Sequence, residues 1–501
     1  MKRSSWLFPL LLGVLLLPRS SPLVAQGHFE FSPLARQAYE EVTSLRFAAA
    51  RQSLRELERR EPQNLIYHLV DNYLDFFTLF IDEDQNAFRR LEQNKAQRLQ
   101  AIRRGDSFSP YYRYCQAEIK LQWALVRLKF EEYFTAFNEV KSAYRLLQKN
   151  TADYPSFVAN QKSLGILHAM IGTVPDNYKW GVKLLSGMDG TIEQGRQEIE
   201  AVLDFAQRED FVFAEETVVM YAFLLLHLNN QSEAAWSTIH GQQLDHERNP
   251  LATFVLANIA MRTGRNDEAI TLLEKRAQGP EYHPFPYLDY LLGLAKLYRL
   301  DEDADRYLEA YLAAFHGRNY IKEAYQKRAW HHLLRGDEAA YRRDMERCQT
   351  EGFALVEGDK TAQREAEQGL LPHPTLLRAR LLFDGGYYER AAVLLEETPL
   401  EATAEERFRL EHSYRLGRIR HRQGRLEAAL DHYGRTIEAG REAPQYFACN
   451  AALQVGRLYE GRAEYTRARE YYRICLDLRP AEYRSGLHQQ AKAGLNRLRG
   501  R

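Results

Sequence analysis

Apolar residues recur along most of the chain at intervals of three and four, which places them on one face of a helix. Leu65, Leu69, Tyr73, Phe76 and Phe80 make one such face. The faces come in pairs, predicting helical hairpins over 33–45 with 46–60, 64–81 with 84–104, and 111–128 with 131–148. The rhythm is sharpest near the C-terminus. With Cys449 as position 1, Gly456 falls at 8, Tyr459 at 11, Ala468 at 20, Tyr472 at 24 and Pro480 at 32. Small residues at 8 and 20 let two antiparallel helices approach closely. Aromatics at 11 and 24 fill the space between a hairpin and its neighbour, and proline, lacking a donor, ends the second helix.

The same register extends over the chain. Position 8 is Ala38, Ala257, Ala379, Gly417 and Gly456, and position 20 is Ala50, Ala269, Ala391, Ala429 and Ala468. The last three units are offset by 38 and 39 residues. Gly293 opens a further unit that runs to Phe315, and 320–352 reads as a divergent hairpin turning at Gly336 and Asp337. This spacing resembles the tetratricopeptide-repeat (TPR) family, in an exported form. The resemblance implies an all-α solenoid, a right-handed superhelix of roughly 11 to 13 hairpins. It also implies a concave groove that binds a protein or peptide, and no catalytic centre.

Between residues 163 and 195 the rhythm breaks. Gly165, Gly172, Gly181, Gly187, Gly190, Gly195 and Pro175 punctuate this stretch. The expectation is a helix to about Gly172, a turn at Pro175, a short amphipathic helix through Trp180 and Leu184, and then a loop. The predicted organisation is a signal peptide over 1–25, hairpins over 26–155, an irregular joint over 156–248, and divergent hairpins over 249–371. Three recognisable repeats over 372–480 and a capping helix over 481–501 complete it. The charged run 357–369 reads as a short helix or surface loop.

Composition narrows the setting. Lys2 and Arg3, an apolar run of 12 residues from Trp6 to Leu17, and the exit Leu23-Val24-Ala25 form the pattern of a cleaved secretory signal. No later stretch is long enough to span a bilayer; 218–228 reads as a buried helix. The expectation is an exported, periplasmic or secreted chain with no transmembrane segment. Basic and acidic residues balance at 68 each, and removing Lys2, Arg3 and Arg19 leaves a net charge of −3. That balance argues against nucleic acid as the main partner. The four cysteines, Cys115, Cys348, Cys449 and Cys475, form no CxxC pair. Cys449 and Cys475 fall near the same end of one hairpin and could be linked in an oxidising compartment. Cys475 occupies a small-residue position, though, and the reading is that it packs as a free thiol.

Known catalytic and cofactor motifs are missing. GxxxxGK[ST], HExxH and GxSxG do not occur. His331 and His332 are adjacent, so on a helix they diverge by about 100 degrees; they read as packing or surface groups rather than as metal ligands. Asp82, Asp84 and Asn86 open like a calcium loop, but Ala87 and Gln93 stand where it needs Gly and Glu. They read as a solvated turn. Nothing marks Asp71 and Asp75, one helical turn apart, as an acid and base pair. No cofactor is expected.

One constellation remains. The TPR resemblance implies that positions 2, 5, 9 and 12 of each first helix face the groove. Position 9 is Arg380, Arg418 and Arg457; position 5 is Leu376, Tyr414 and Leu453; position 12 is Phe383, His421 and Glu460. Stacked hairpins turn this periodicity into a ladder of guanidinium groups flanked by apolar and aromatic side chains. A planar guanidinium suits carboxylates, so the expected ligand is an acidic or C-terminal peptide segment of another exported protein. The groove residues are Arg380, Arg418, Arg457, Tyr414, Phe383, His421 and Leu453. The Lys and Asn that TPR domains of the dicarboxylate-clamp type place at positions 5 and 9 are absent. Three readings compete from other classes: a glycan-binding protein on a TPR platform, an enzyme built from scattered carboxylates, and a membrane-associated protein acting through 163–195.

Overall fold

Gly456 leaves a gap that Tyr472 fills: a Cβ at this glycine would lie 2.7 Å from the tyrosine ring. Gly417 and Tyr433 repeat the arrangement at 2.7 Å, and Gly293 and Leu308 at 2.8 Å. Position 24 thus packs onto position 8 of its own hairpin. Tyr472 also reaches the next helix, where Gly494 accommodates it. Both tyrosines are fully buried, and burying a large side chain of this kind contributes about 2 kcal/mol. This nesting is the unit of the fold.

The computed structural model describes residues 26–173, 186–227, 231–242, 244–398, 400 and 404–499. Among them lie 24 helices and no strand, an all-α array of eleven helix pairs and two single helices. The first five pairs are α1 (Pro33–Thr43) with α2 (Phe47–Arg60), α3 (Ile66–Asp82) with α4 (Gln85–Ile102), α5 (Pro110–Lys129) with α6 (Tyr133–Asp153), α7 (Ala159–Gly172) with α8 (Ile192–Ala206), and α9 (Ala214–His227) with α10 (Ser232–His240). Next come α11 (Pro250–Arg262) with α12 (Asn266–Glu274), α13 (Tyr287–Arg299) with α14 (Ala304–Ala314), and α15 (Ile321–Leu334) with α16 (Glu338–Thr350). The single helix α17 (Glu357–Gln368) follows. The last pairs are α18 (Pro374–Asp384) with α19 (Tyr388–Glu397), α20 (Glu406–Arg422) with α21 (Leu426–Ala439), and α22 (Phe447–Gly461) with α23 (Tyr465–Asp477), followed by the single helix α24 (Arg484–Arg497). Among the described residues no helix is long and apolar enough to cross a membrane.

Proline opens four first helices. Pro33, Pro110, Pro250 and Pro374 stand at the first helical position, where the missing donor costs nothing. Ser32, Ser109 and Asn249 cap three of these helices with a side-chain oxygen.

Three glycines of the stretch 163–195 serve close packing. A Cβ on Gly195 would sit 2.2 Å from the Gly165 carbonyl oxygen, and one on Gly172 2.3 Å from the Ile192 nitrogen. Gly165 and Gly195 lie inside helices, and they let α7 and α8 approach backbone to backbone. The expected helix end at Gly172 is observed. The expected turn at Pro175 and helix through Trp180 and Leu184 lie outside the described residues.

The first five hairpins fill their own interior. Phe213, carried just ahead of α9, lies 5.4 to 5.6 Å from the rings of Phe31, Tyr39 and Tyr114. Beside it the fully buried Lys162 of α7 binds Glu216 of α9 at 2.7 Å and Glu118 of α5 at 3.1 Å. Glu216 also accepts from the hydroxyls of Tyr39 and Tyr73, each at 2.9 Å. One residue from each of five consecutive first helices therefore meets at one point. Among the described residues of this half, the space where these five first helices meet is occupied by the chain's own side chains.

Two further ties join distant parts. The turn between α3 and α4 meets the segments before α13 and α15: His283 stacks on Phe47 at 4.5 Å and contacts Asp82 at 2.8 Å, and Glu83 binds Arg318 and Asn319. Asp82 is thus engaged rather than simply solvated, and Asp84 caps α4 through the Asn86 amide at 2.7 Å. The second tie runs from α17 to the start of α24, through Thr361 with Tyr483 at 3.4 Å and Gln368 with Glu482 at 3.0 Å. Cys449 and Cys475 are buried free thiols with their sulfurs 3.6 Å apart.

Candidate functional site

Arg380, Arg418 and Arg457 lie at equivalent places on α18, α20 and α22. None is held by a close carboxylate. Arg380 places its guanidinium 4.6 Å from the Trp330 ring centre, and the Asp384 carboxylate stands 4.0 Å off. Arg418 lies 4.9 Å over the Phe383 ring and donates to the Tyr414 hydroxyl at 3.0 Å. Arg457 donates to the Gln490 side-chain oxygen at 2.7 Å. Among the described residues no carboxylate comes within 4 Å of Arg418 or Arg457. Neighbouring arginines behave differently: Arg497 takes the Glu460 carboxylate with two bonds of 2.8 Å.

The electrostatics follow. Burial pushes the His421 imidazole down to about 4, and the positive charges of Arg418, Arg422 and Arg457 push the same way. His421 is therefore neutral at physiological pH and reports a positive field at this wall.

A row of aromatic rings runs from the core beneath the ladder toward the surface. Tyr414 meets Tyr446 edge-on at 5.7 Å, and Tyr446 meets Tyr483 edge-on at 5.0 Å. Opposite them stands α17, whose Arg364 covers the Tyr483 ring at 4.4 Å. Ala362 and Ala366 seat this helix against Trp330 and Met345 in a shared apolar cluster. Trp330 fixes it further by donating to Glu365 at 2.6 Å. Between α17 and the starts of α22 and α24 lies a cleft of about 730 Å³, lined by Glu357, Arg364, Tyr446, Asn450, Tyr483 and Gln490. Since Gln490 is also the partner of Arg457, the ladder and the cleft share a border.

The seven residues singled out from sequence divide into two groups. Arg380, Arg418, Phe383 and His421 are half-buried, Arg457 is exposed, and all five can meet a ligand. Leu453 and Tyr414 are only 1 % and 2 % exposed and belong to the apolar core beneath. Leu453 supports the wall and does not line it. Sequence reasoning missed α17 as the facing wall, together with Tyr446, Tyr483 and Gln490. A signal existed for two of these, because Tyr446 and Tyr483 stand 37 residues apart, one repeat length, at the starts of consecutive first helices.

Other sequence candidates serve the fold. Asp71 and Asp75 both bind Arg98, the first at 2.6 Å and the second at 2.5 Å. No family model matches the chain, and no curated protein matches it at a significant level.

Proposed function

We propose that this chain is a non-catalytic, exported adaptor of tetratricopeptide type that holds an acidic or C-terminal peptide segment of a partner protein in its C-terminal groove. One observation carries the reading: three guanidinium groups recur on successive first helices with no carboxylate closer than 4.0 Å. A guanidinium left with phenol, amide and aromatic partners retains donors for an incoming carboxylate, and a charge-assisted bond of that kind contributes about 2 kcal/mol. The adjoining cleft supplies room for side chains between the charged contacts.

The test uses a fluorescent Asp- and Glu-rich peptide with a free C-terminal carboxylate, titrated with the mature chain and read by anisotropy. Binding is expected to weaken as salt rises. The Arg380→Glu, Arg418→Glu, Arg457→Glu variant is expected to lose about 100-fold or more in affinity, as three contacts of about 1 kcal/mol or more would require. Equal binding by the variant, with its helicity and melting temperature unchanged, overturns the reading.

A further inference from the structure

Asp305 on the first turn of α14 and the adjacent pair His331 and His332 in the last turn of α15 offer one ligand atom each, all within 4.8 Å of one another. Adjacency along one helix separates the two imidazoles, and their ring centres are 5.9 Å apart. The separation ceases to be an objection once a donor from the next helix completes the group.

His331 is 6 % exposed, and its Nε2 donates to the Glu302 carbonyl oxygen at 3.1 Å. Because a carbonyl can only accept, the proton is on Nε2 and the lone pair is on Nδ1. Nδ1 is buried and has no hydrogen-bond partner. Asp305 Oδ2 faces it at 3.8 Å, too far for a hydrogen bond. A buried lone pair opposite a carboxylate is an unfavourable pairing unless something positive lies between them.

The dimensions suit an ion. With metal–nitrogen and metal–oxygen bonds of about 2.1 Å, tetrahedral donors lie about 3.4 Å apart. The 3.8 Å gap between His331 and Asp305 needs to close by only a few tenths of an ångström, and the His332 side chain, within 4.8 Å, moves in to complete the set. The Asp305 and His332 side chains are 37 % and 26 % exposed, which leaves a path to solvent and places for water. The nearby charges are already engaged. Arg335 binds Glu302 at 2.7 Å, and Arg328 grips Asp344 with bonds of 2.7 and 2.5 Å. Asp344 in turn lies 3.5 Å from His332 Nε2.

We propose that Asp305, His331 and His332 form a three-ligand site for a divalent first-row transition-metal ion. Two imidazole nitrogens and one carboxylate oxygen favour Zn²⁺, Ni²⁺ or Cu²⁺ over Mg²⁺ or Ca²⁺. The ion would pin α14 to α15, the helices that flank the Arg318 and Asn319 contact with Glu83.

The mature chain, stripped with chelator, is titrated with Zn²⁺ by calorimetry, and bound metal is counted by elemental analysis. One ion per chain is expected, with a rise in melting temperature. Asp305→Asn and His332→Gln, both at partly exposed positions, are each expected to weaken binding at least tenfold. Their metal-free melting temperatures should match the parent. A Co²⁺-loaded sample should show the intense visible absorption of a four-coordinate site, which both variants lose. Failure to bind Zn²⁺, or undiminished binding by variants that fold like the parent, overturns the proposal.

Discussion

Glu83 and Asn319 are joined across 236 residues: Glu83 Oε2 accepts both the backbone and the side-chain amide of Asn319 at 2.9 Å. The Arg318 amide adds a third bond at 3.0 Å, and Lys129 pairs with the other carboxylate oxygen. An array whose units touch only their neighbours would need none of this.

Glu83→Ala strands the half-buried Lys129 and three donors, and it is expected to lower stability by about 3 kcal/mol, measured by urea unfolding. Burial alone would raise the Glu83 pKa, but Lys129 and the Asn319 bonds outweigh it, so the carboxyl titrates below its ordinary range. A depressed carboxyl pKa gives stability that is complete above the unfolded value and is lost as pH falls through the folded one. Glu83→Ala, which lacks this contribution, should therefore unfold in acid at a higher pH than the parent. Identical acid midpoints would count against the tie.

Asp359 works in the opposite direction. Its carboxylate accepts the Tyr320 amide at 2.7 Å and the Glu323 amide at 3.0 Å, capping α15 from α17. Burial nevertheless pushes its pKa up to about 7. Between the unfolded value near 4 and about 7 the folded chain holds a proton that the unfolded chain has lost, so this contribution declines as pH rises through that window. Parent stability should fall from pH 5 to pH 7.5 by more than that of Asp359→Asn, as followed by chemical denaturation. A parallel pH dependence in both proteins would refute this.

Two glycine substitutions should have opposite signs. Gly195→Ala drives a methyl group into the Gly165 carbonyl oxygen and the Ala169 nitrogen, at 2.2 and 2.7 Å, and backbone cannot rotate away. The expected cost is about 3 kcal/mol. Gly434→Ala, inside α21 with nothing within 4 Å, should instead stabilise by about 0.5 to 1 kcal/mol. Thermal melts of the two variants decide the point.

His421 provides a spectroscopic readout of the groove. Its imidazole should titrate near pH 4 in the free chain by NMR. It should shift toward the ordinary histidine value in Arg418→Glu or Arg457→Glu, and again when the acidic peptide binds. A pKa insensitive to both changes would mean that the arginine field does not reach the groove wall.

The hairpins were legible because packing between successive units repeats. Ala or Gly at position 8 and Leu or Tyr at position 24 (Leu395, Tyr433, Tyr472) leave a mark every 38 or 39 residues, and Gly456 with Tyr472 shows the contact behind it. The arginine ladder was legible for the same reason. What stayed hidden joins residues with no periodic relation: Glu216 with Tyr39, Glu83 with Asn319, and Thr361 with Tyr483. Gly165 and Gly195 look in sequence like glycines that end helices, and only the contact between α7 and α8 shows that they admit a neighbouring backbone. His331 and His332 were judged from their own helix, while Asp305 arrives from another.

The Thr361 and Tyr483 contact carries a consequence for what the groove can measure. By tying α17 to the start of α24 it holds the helices between them in place, and with them the spacing from Arg380 to Arg457. With helices stacked roughly 10 Å apart, that distance is about 20 Å, which an extended strand covers in about six residues. The molecule would then act as a ruler, preferring guests whose negative charges fall at every third residue over guests that are merely more acidic.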